Sequence, residues 1–238
     1  MQSSRSGPDP LDPGPAGYAH RGLHNASDVP ENTLAAFDAA LAFGAGIECD
    51  LRLTADDHIV VFHDATAWRL CASRMRIAES SRDDLRSLRI GGQPIPTLAS
   101  LLSLVGARVP MLLEVKVNGD VHRWIPALRR ELAGFAGSYG VMSFDPRVSR
   151  LLKRSMPDVR RGLVVRDNLA SVPRQAAMWV ADPQFLSVER PALGKSWVER
   201  ARRRMPVYSW TVRTSAERVQ AEVQADALIW EADGRPRI

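Results

Sequence analysis

Gly46-Ile47-Glu48-Cys49-Asp50-Leu51 is an apolar run carrying two carboxylates two residues apart. After it come Thr54-Ala55-Asp56-Asp57 and then a second apolar run, His58-Ile59-Val60-Val61-Phe62-His63. Side chains alternate across a strand, so Glu48 and Asp50 project from the same face of the first run. The polar tetrapeptide has the composition of a turn, which makes the second run a hairpin partner and returns His63 toward the place where the first strand ends.

Similar short runs recur on both sides of this hairpin, at Gly17-His20, Met111-Lys116, Tyr139-Ser143, Gly162-Val165, Phe185-Val188, Val207-Val212 and Ala227-Trp230, with stretches of helical period between them. Such alternation implies βα units and a parallel sheet. Together with Gly46-Leu51 the runs make eight, which predicts an α/β fold of the (β/α)8 TIM-barrel type. The hairpin is then a short cap insertion between the second and third barrel strands, and Ile95-Pro96-Thr97-Leu98 restarts the βα pattern. Helix starts support this frame. Asn32 is positioned to cap a helix running to Gly44, Thr97 to cap Leu98–Val105, and Asp145-Pro146 to open a helix through Leu151 and Leu152.

Composition limits the class of molecule. With 238 residues, 45% of them hydrophobic and 25% charged, the chain suits one domain with a full core. Residues 1–16 are rich in Ser, Pro, Gly and Asp and read as a disordered leader, leaving 17–238 as the single domain. No signal-peptide or membrane-spanning run is visible, and two cysteines, Cys49 and Cys71, are too few for a disulfide framework. Both points favour a cytoplasmic protein with reduced thiols. The net charge of +5 is spread out, and the dense patch at Arg200-Ala201-Arg202-Arg203-Arg204 reads as a solvated helix face. No nucleic-acid motif accompanies it, so nucleic acid is not an expected partner. The oligomeric state is not legible.

Catalytic groups of such barrels sit at the C-terminal ends of the strands, where His20, Asp50 and Lys116 fall. Glu31 lies in the loop after the first strand, and Glu114 is two residues before Lys116. Carboxylates aimed into one barrel repel unless a cation joins them, so Glu31, Glu48, Asp50 and Glu114 form a candidate metal site. An all-oxygen set favours one hard divalent ion, Ca²⁺ or Mg²⁺. Arg21 and Lys116 suit phosphate oxygens, and His20 and His63 suit a general acid and base.

These residues occur within ordered motifs: His20-Arg21-Gly22, Pro30-Glu31-Asn32-Thr33, Glu48-Cys49-Asp50, His63-Asp64, Ile95-Pro96-Thr97-Leu98 and Glu114-Val115-Lys116, with weaker matches at Ser143-Phe144-Asp145 and Trp210-Thr211-Val212. In kind and order they resemble the glycerophosphodiester phosphodiesterase family over roughly residues 17–231. The resemblance implies a TIM barrel with one divalent ion held by Glu31, Glu48, Asp50 and Glu114, an acid/base pair at His20 and His63, and Arg21 and Lys116 beside the phosphate. It implies metal-dependent hydrolysis of a small-molecule glycerophosphodiester to glycerol 3-phosphate and an alcohol, through attack of the glycerol 2-hydroxyl and a cyclic phosphate. Asn32 is expected to cap its helix and to reach the phosphate, and Trp210 to form a pocket wall. A lysophospholipase D activity on acylated substrates would use the same groups, and a non-catalytic phosphodiester-binding barrel is the remaining alternative. Where the family's last strand commonly ends in threonine-aspartate-x-proline, this chain has Trp230-Glu231-Ala232-Asp233-Gly234. Arg213 stands where asparagine is more usual. Both departures are expected at the rim, bearing on head-group selectivity.

Overall fold

The computed structural model describes residues 9–25 and 28–237. Its strands are β1 (Tyr18–His20), β2 (Gly46–Leu53), β3 (Ile59–Val61), β4 (Arg89–Ile90), β5 (Gln93–Pro94), β6 (Met111–Val115), β7 (Tyr139–Ser143), β8 (Arg160–Val165), β9 (Phe185–Glu189), β10 (Val207–Val212) and β11 (Ala227–Trp230). Omitting β3, β4 and β5, the others pair in parallel in the order β1-β11-β10-β9-β8-β7-β6-β2, and β2 pairs with β1 to close the barrel. The helices α1 (Leu34–Phe43), α2 (Trp68–Cys71), α3 (Leu98–Val105), α4 (Trp124–Leu132), α5 (Pro146–Ser155), α6 (Ser171–Ala181), α7 (Ser196–Arg202) and α8 (Ser215–Glu222) follow the strands. Among the described residues no helix is long and apolar enough to cross a membrane.

The hairpin forms because β2 outruns its neighbour. β1 is three residues long and pairs only with Gly46, Ile47 and Glu48, leaving the edge of Leu51–Leu53 open. β3 covers that edge in antiparallel register, Leu51 opposite Val61 and Leu53 opposite Ile59. An unpaired strand edge would expose backbone donors and acceptors, and the hairpin satisfies them. The Phe62 amide then donates to the Asp50 carbonyl at 2.9 Å, so His63 emerges beside the C-terminal end of β2.

Alternation divides each strand between two cores. On β2, Ile47, Cys49 and Leu51 pack outward against the helices, while Glu48 and Asp50 face the barrel axis. The lower half of the barrel is filled by Tyr18, Leu112, Met142, Val164, Phe185, Tyr208 and Ile229. Phe185 owes its room to glycines: a Cβ on Gly162 would lie 2.3 Å from its ring and one on Gly140 2.9 Å away.

Leu11 closes this floor. It is fully buried, and its carbonyl accepts the Tyr18 hydroxyl at 2.6 Å. The leader expected over residues 1–16 is therefore corrected for 9–16, where one apolar side chain among polar neighbours is enough to anchor the segment. Residues 1–8 of that leader lie outside the described residues.

The caps follow the sequence closely at α3, where Thr97 and Ser100 exchange hydrogen bonds, and at α5, where Asp145 accepts from Arg147 and Pro146 opens the helix. At α1 the cap is Thr33, whose hydroxyl accepts from the Ala36 amide at 3.3 Å, and not Asn32. Asn32 instead adopts a left-handed backbone at φ 56°, a conformation that asparagine tolerates, with its side chain directed at β2.

Candidate active site

The site is assembled at the C-terminal ends of β1, β2 and β6. His20 ends β1, and its Nδ1 lies 2.7 Å from Glu231 Oε2, just after β11 on the adjoining side of the barrel. The second Glu231 oxygen accepts from Arg213 Nε at 2.6 Å. Glu231 and Arg213, expected to bear on the head group, are thus tied to an imidazole, because barrel closure sets β11 beside β1. With Nδ1 bonded to a carboxylate, the proton is assigned to that nitrogen, and Nε2 is left 3.9 Å from Glu48 on the cavity side.

Glu48, Asp50 and Glu114 converge. One oxygen from each lies within 4.8 Å of the others, and all three residues are buried. Two oxygens on one Ca²⁺ ion, each about 2.4 Å from it, stand at most about 4.8 Å apart, so the trio fits a hard divalent ion in both spacing and donor type. Asn32 holds Asp50 at both ends of its amide: Nδ2 donates to Oδ2 at 2.9 Å, and Oδ1 accepts the Asp50 amide at 3.3 Å. Its amide is therefore engaged in orienting a carboxylate.

Lys116 Nζ lies 3.0 Å from Asp50 Oδ1 and donates to Glu114, while Arg21 Nε lies 3.0 Å from Asp50 Oδ2. Three carboxylates against two cations leave one uncompensated negative charge. A divalent ion and a phosphodiester monoanion together bring the cluster to neutrality.

Glu31 is not brought into the trio. Arg21 donates to it at 2.8 Å and Arg69 at 2.7 and 3.0 Å. Burial alone would raise its pKa, but the two guanidiniums hold it below the usual carboxylate range. Arg69, on α2 of the cap, also donates to Asp64 at 2.7 Å, and Asp64 sits 2.7 Å from His63 Nδ1. The carbonyl of His63 accepts from Arg52 Nε, also at 2.7 Å. Arg69 thus joins the loop after β1 to the second imidazole.

These groups border a cavity of about 300 Å³. His20, Arg21, Glu48, His63, Glu114 and Lys116 form one side, and Phe144, Ser187 and Trp210 belong to the other. Burial depresses the pKa of both His20 and His63, in His20 against the opposing effect of Glu231 and in His63 against that of Asp50. Burial pushes Glu48 well above the carboxylate range, helped by the charges of Asp50 and Glu114, and it also raises Glu114. Burial acts on Asp50 in the same sense, but Lys116 and Arg21 overcome it and hold that group low.

Of the residues expected at the site, the structure brings together His20, His63, Arg21, Lys116, Glu48, Asp50 and Glu114, with Trp210 across the cavity. It places Glu31 and Asn32 in supporting positions. Sequence reasoning missed Arg52, Arg69, Ser187 and the role of Glu231. The position of Glu231 directly after the last strand was the one available signal, whereas Arg69 reaches Glu31 across 38 residues with no local signature.

The chain is similar to known proteins in sequence and in fold. The chain is 30% identical over 166 residues to a glycerophosphodiester phosphodiesterase of Caldanaerobacter subterraneus subsp. tengcongensis, covering 63% of this chain and 67% of that one. Its fold matches that of a phosphodiesterase from Oleispira antarctica solved in complex with the product sn-glycerol-3-phosphate, with a TM-score of 0.80 at 21% identity, over 91% of this chain and 92% of the other. A glycerophosphodiester phosphodiesterase from Thermotoga maritima gives a TM-score of 0.74 at 24% identity, over 90% and 92%. Residues 20–232, which hold every group named above, match the model of the glycerophosphoryl diester phosphodiesterase family, and the chain belongs to that family.

Proposed function

We propose that this protein hydrolyses glycerophosphodiesters to glycerol 3-phosphate and an alcohol, with His20 and His63 as its acid/base pair. The observation that carries this reading is the presence of two imidazoles on one cavity, each with Nδ1 on a carboxylate, Glu231 or Asp64, beside a trio of acids suited to a divalent ion. The ion, Ca²⁺ or Mg²⁺, would be held by Glu48, Asp50 and Glu114, and when bound it supplies positive charge to the phosphoryl oxygens.

Arg21 and Lys116 orient the remaining phosphate oxygens, the first by paired N–H groups and the second as a point charge. One imidazole takes the proton of the glycerol 2-hydroxyl as its oxygen bonds to phosphorus. The other gives a proton to the departing alcohol as the second ester bond breaks. Their roles then exchange: water loses a proton to one, the cyclic ester opens, and the 2-oxygen regains a proton from the other.

A cavity of about 300 Å³ has room for the glycerol and phosphate of a deacylated diester. Release of glycerol 3-phosphate from glycerophosphocholine, abolished by EDTA and restored by Ca²⁺ or Mg²⁺, tests the reaction; absence of turnover with every divalent ion would overturn it. His20→Ala and His63→Ala should each lower kcat by about 10²-fold or more, and the double variant little further, because the pair acts as a unit.

A further inference from the structure

The cavity wall opposite the carboxylates carries a buried hydroxyl that the reaction above does not use. On β9, Leu186 and Val188 pack outward under the helices, so Phe185, Ser187 and Glu189 face the barrel axis. Ser187 is fully buried and lines the cavity, and no protein group partners its Oγ. Most buried hydroxyls have a hydrogen-bond partner, and leaving one unmade costs about 1–3 kcal/mol.

Ser187 shares this wall with apolar groups below it and with Glu189, two residues further along the same face of β9, above it. Met142 and Ile229 lie at the base of the cavity, and Trp210 and Phe144 meet edge to face with centroids 5.6 Å apart. The indole N–H is already used, donating to the Ser187 carbonyl at 3.1 Å, so Trp210 offers its ring and not a donor. At its base the wall therefore presents a fully buried, unpartnered hydroxyl, both donor and acceptor, beside Met142, Ile229 and the two rings. A polyol matches the base of this wall, with C–H faces for the rings and a hydroxyl for Ser187, while a charged head group finds counter-charge nearer the mouth, at Glu189 or Arg166.

We infer that Ser187 Oγ hydrogen-bonds the free primary hydroxyl of the substrate's glycerol, so that the glycerol end enters the barrel and the head group leaves past the exposed Arg166 and Asn168. The subsite rests on the proposed hydrolysis for the identity of the polyol. Ser209 supplies a contrast: it too is buried with an unpartnered hydroxyl, but it alternates with the inward-facing Tyr208 and Trp210 and does not border the cavity.

The test compares glycerophosphocholine with its 2-hydroxypropyl analogue, which lacks the primary hydroxyl and keeps the attacking one. Wild type should favour glycerophosphocholine by about tenfold in kcat/KM, the worth of one neutral hydrogen bond. Ser187→Ala should reduce that preference below about twofold with a ligand-free melting temperature no lower than that of the wild type, while Ser209→Ala keeps the wild-type ratio. Calorimetric binding of glycerol 3-phosphate against 2-hydroxypropyl phosphate should show the same loss of discrimination, and this arm reads the subsite even if the wild type turned over neither diester. A Ser187→Ala variant that retains the wild-type ratio, or loses equally on both ligands, would overturn the assignment.

Discussion

His20 shows how much of the chemistry rests on a single distant partner. The Glu231 carboxylate, itself anchored by Arg213, fixes the orientation of an imidazole whose burial depresses its pKa below the ordinary 6.5. A base of depressed pKa stays neutral to lower pH, so the acid limb of kcat/KM should fall below the usual histidine value. Glu231→Gln removes an influence that raises the His20 pKa. The limb should therefore move to still lower pH while kcat drops by about 10²-fold. A pH profile at fixed ion concentration checks this, and an unmoved limb would mean that His20 is not the group titrating. His63, with Asp64 adjacent in sequence, could be paired by reading alone; the Glu231 partner could not.

At the scale of elements, the eight strands were legible because period-two alternation and bounding turns are local properties. Tyr139–Ser143, Val207–Val212 and Ala227–Trp230 have the bounds the apolar runs suggest. The hairpin was legible for the same reason, since Thr54–Asp57 is turn chemistry between two β-prone runs. Legibility failed where one residue had two uses. Asn32 and Thr33 are both capping types, and only the proximity of Asp50 decides that Asn32 serves β2 while Thr33 caps α1. The capping box of α8, Thr214 with Glu217, is a local signal of the same kind. Packing within the barrel was hidden. Gly162 is small because Phe185 crosses it, so Gly162→Ala should lower stability by about 1–3 kcal/mol in denaturant unfolding, with partial rescue by Phe185→Leu. An alanine tolerated at no loss would show that the ring moves freely.

For the whole molecule, an ion held by the acid trio, as proposed, would link folding to its binding. Burial and mutual repulsion make the charged form of Glu48 unfavourable, and a divalent ion bound at the trio would reverse that. At about 100 times its Kd, an ion bound only by the native state adds about 2.7 kcal/mol, or roughly 5–10 °C in melting temperature for a chain of this size. Glu48→Gln should raise the melting temperature in EDTA and lose the response to Ca²⁺ or Mg²⁺. An equal response in wild type and variant would place the ion elsewhere.

By itself the sequence determined the barrel, the hairpin and the roster of chemically active groups, because strand period, turn composition and short motifs are written within a few neighbouring residues. Tertiary structure alone decided which of those groups meet. Barrel closure gave His20 to Glu231 across 211 positions, and the cap delivered Arg69 to Glu31. The inward turn of β9 placed Ser187 on the cavity wall. Such pairings depend on distance and burial in three dimensions, and neither quantity leaves a local trace in the order of residues.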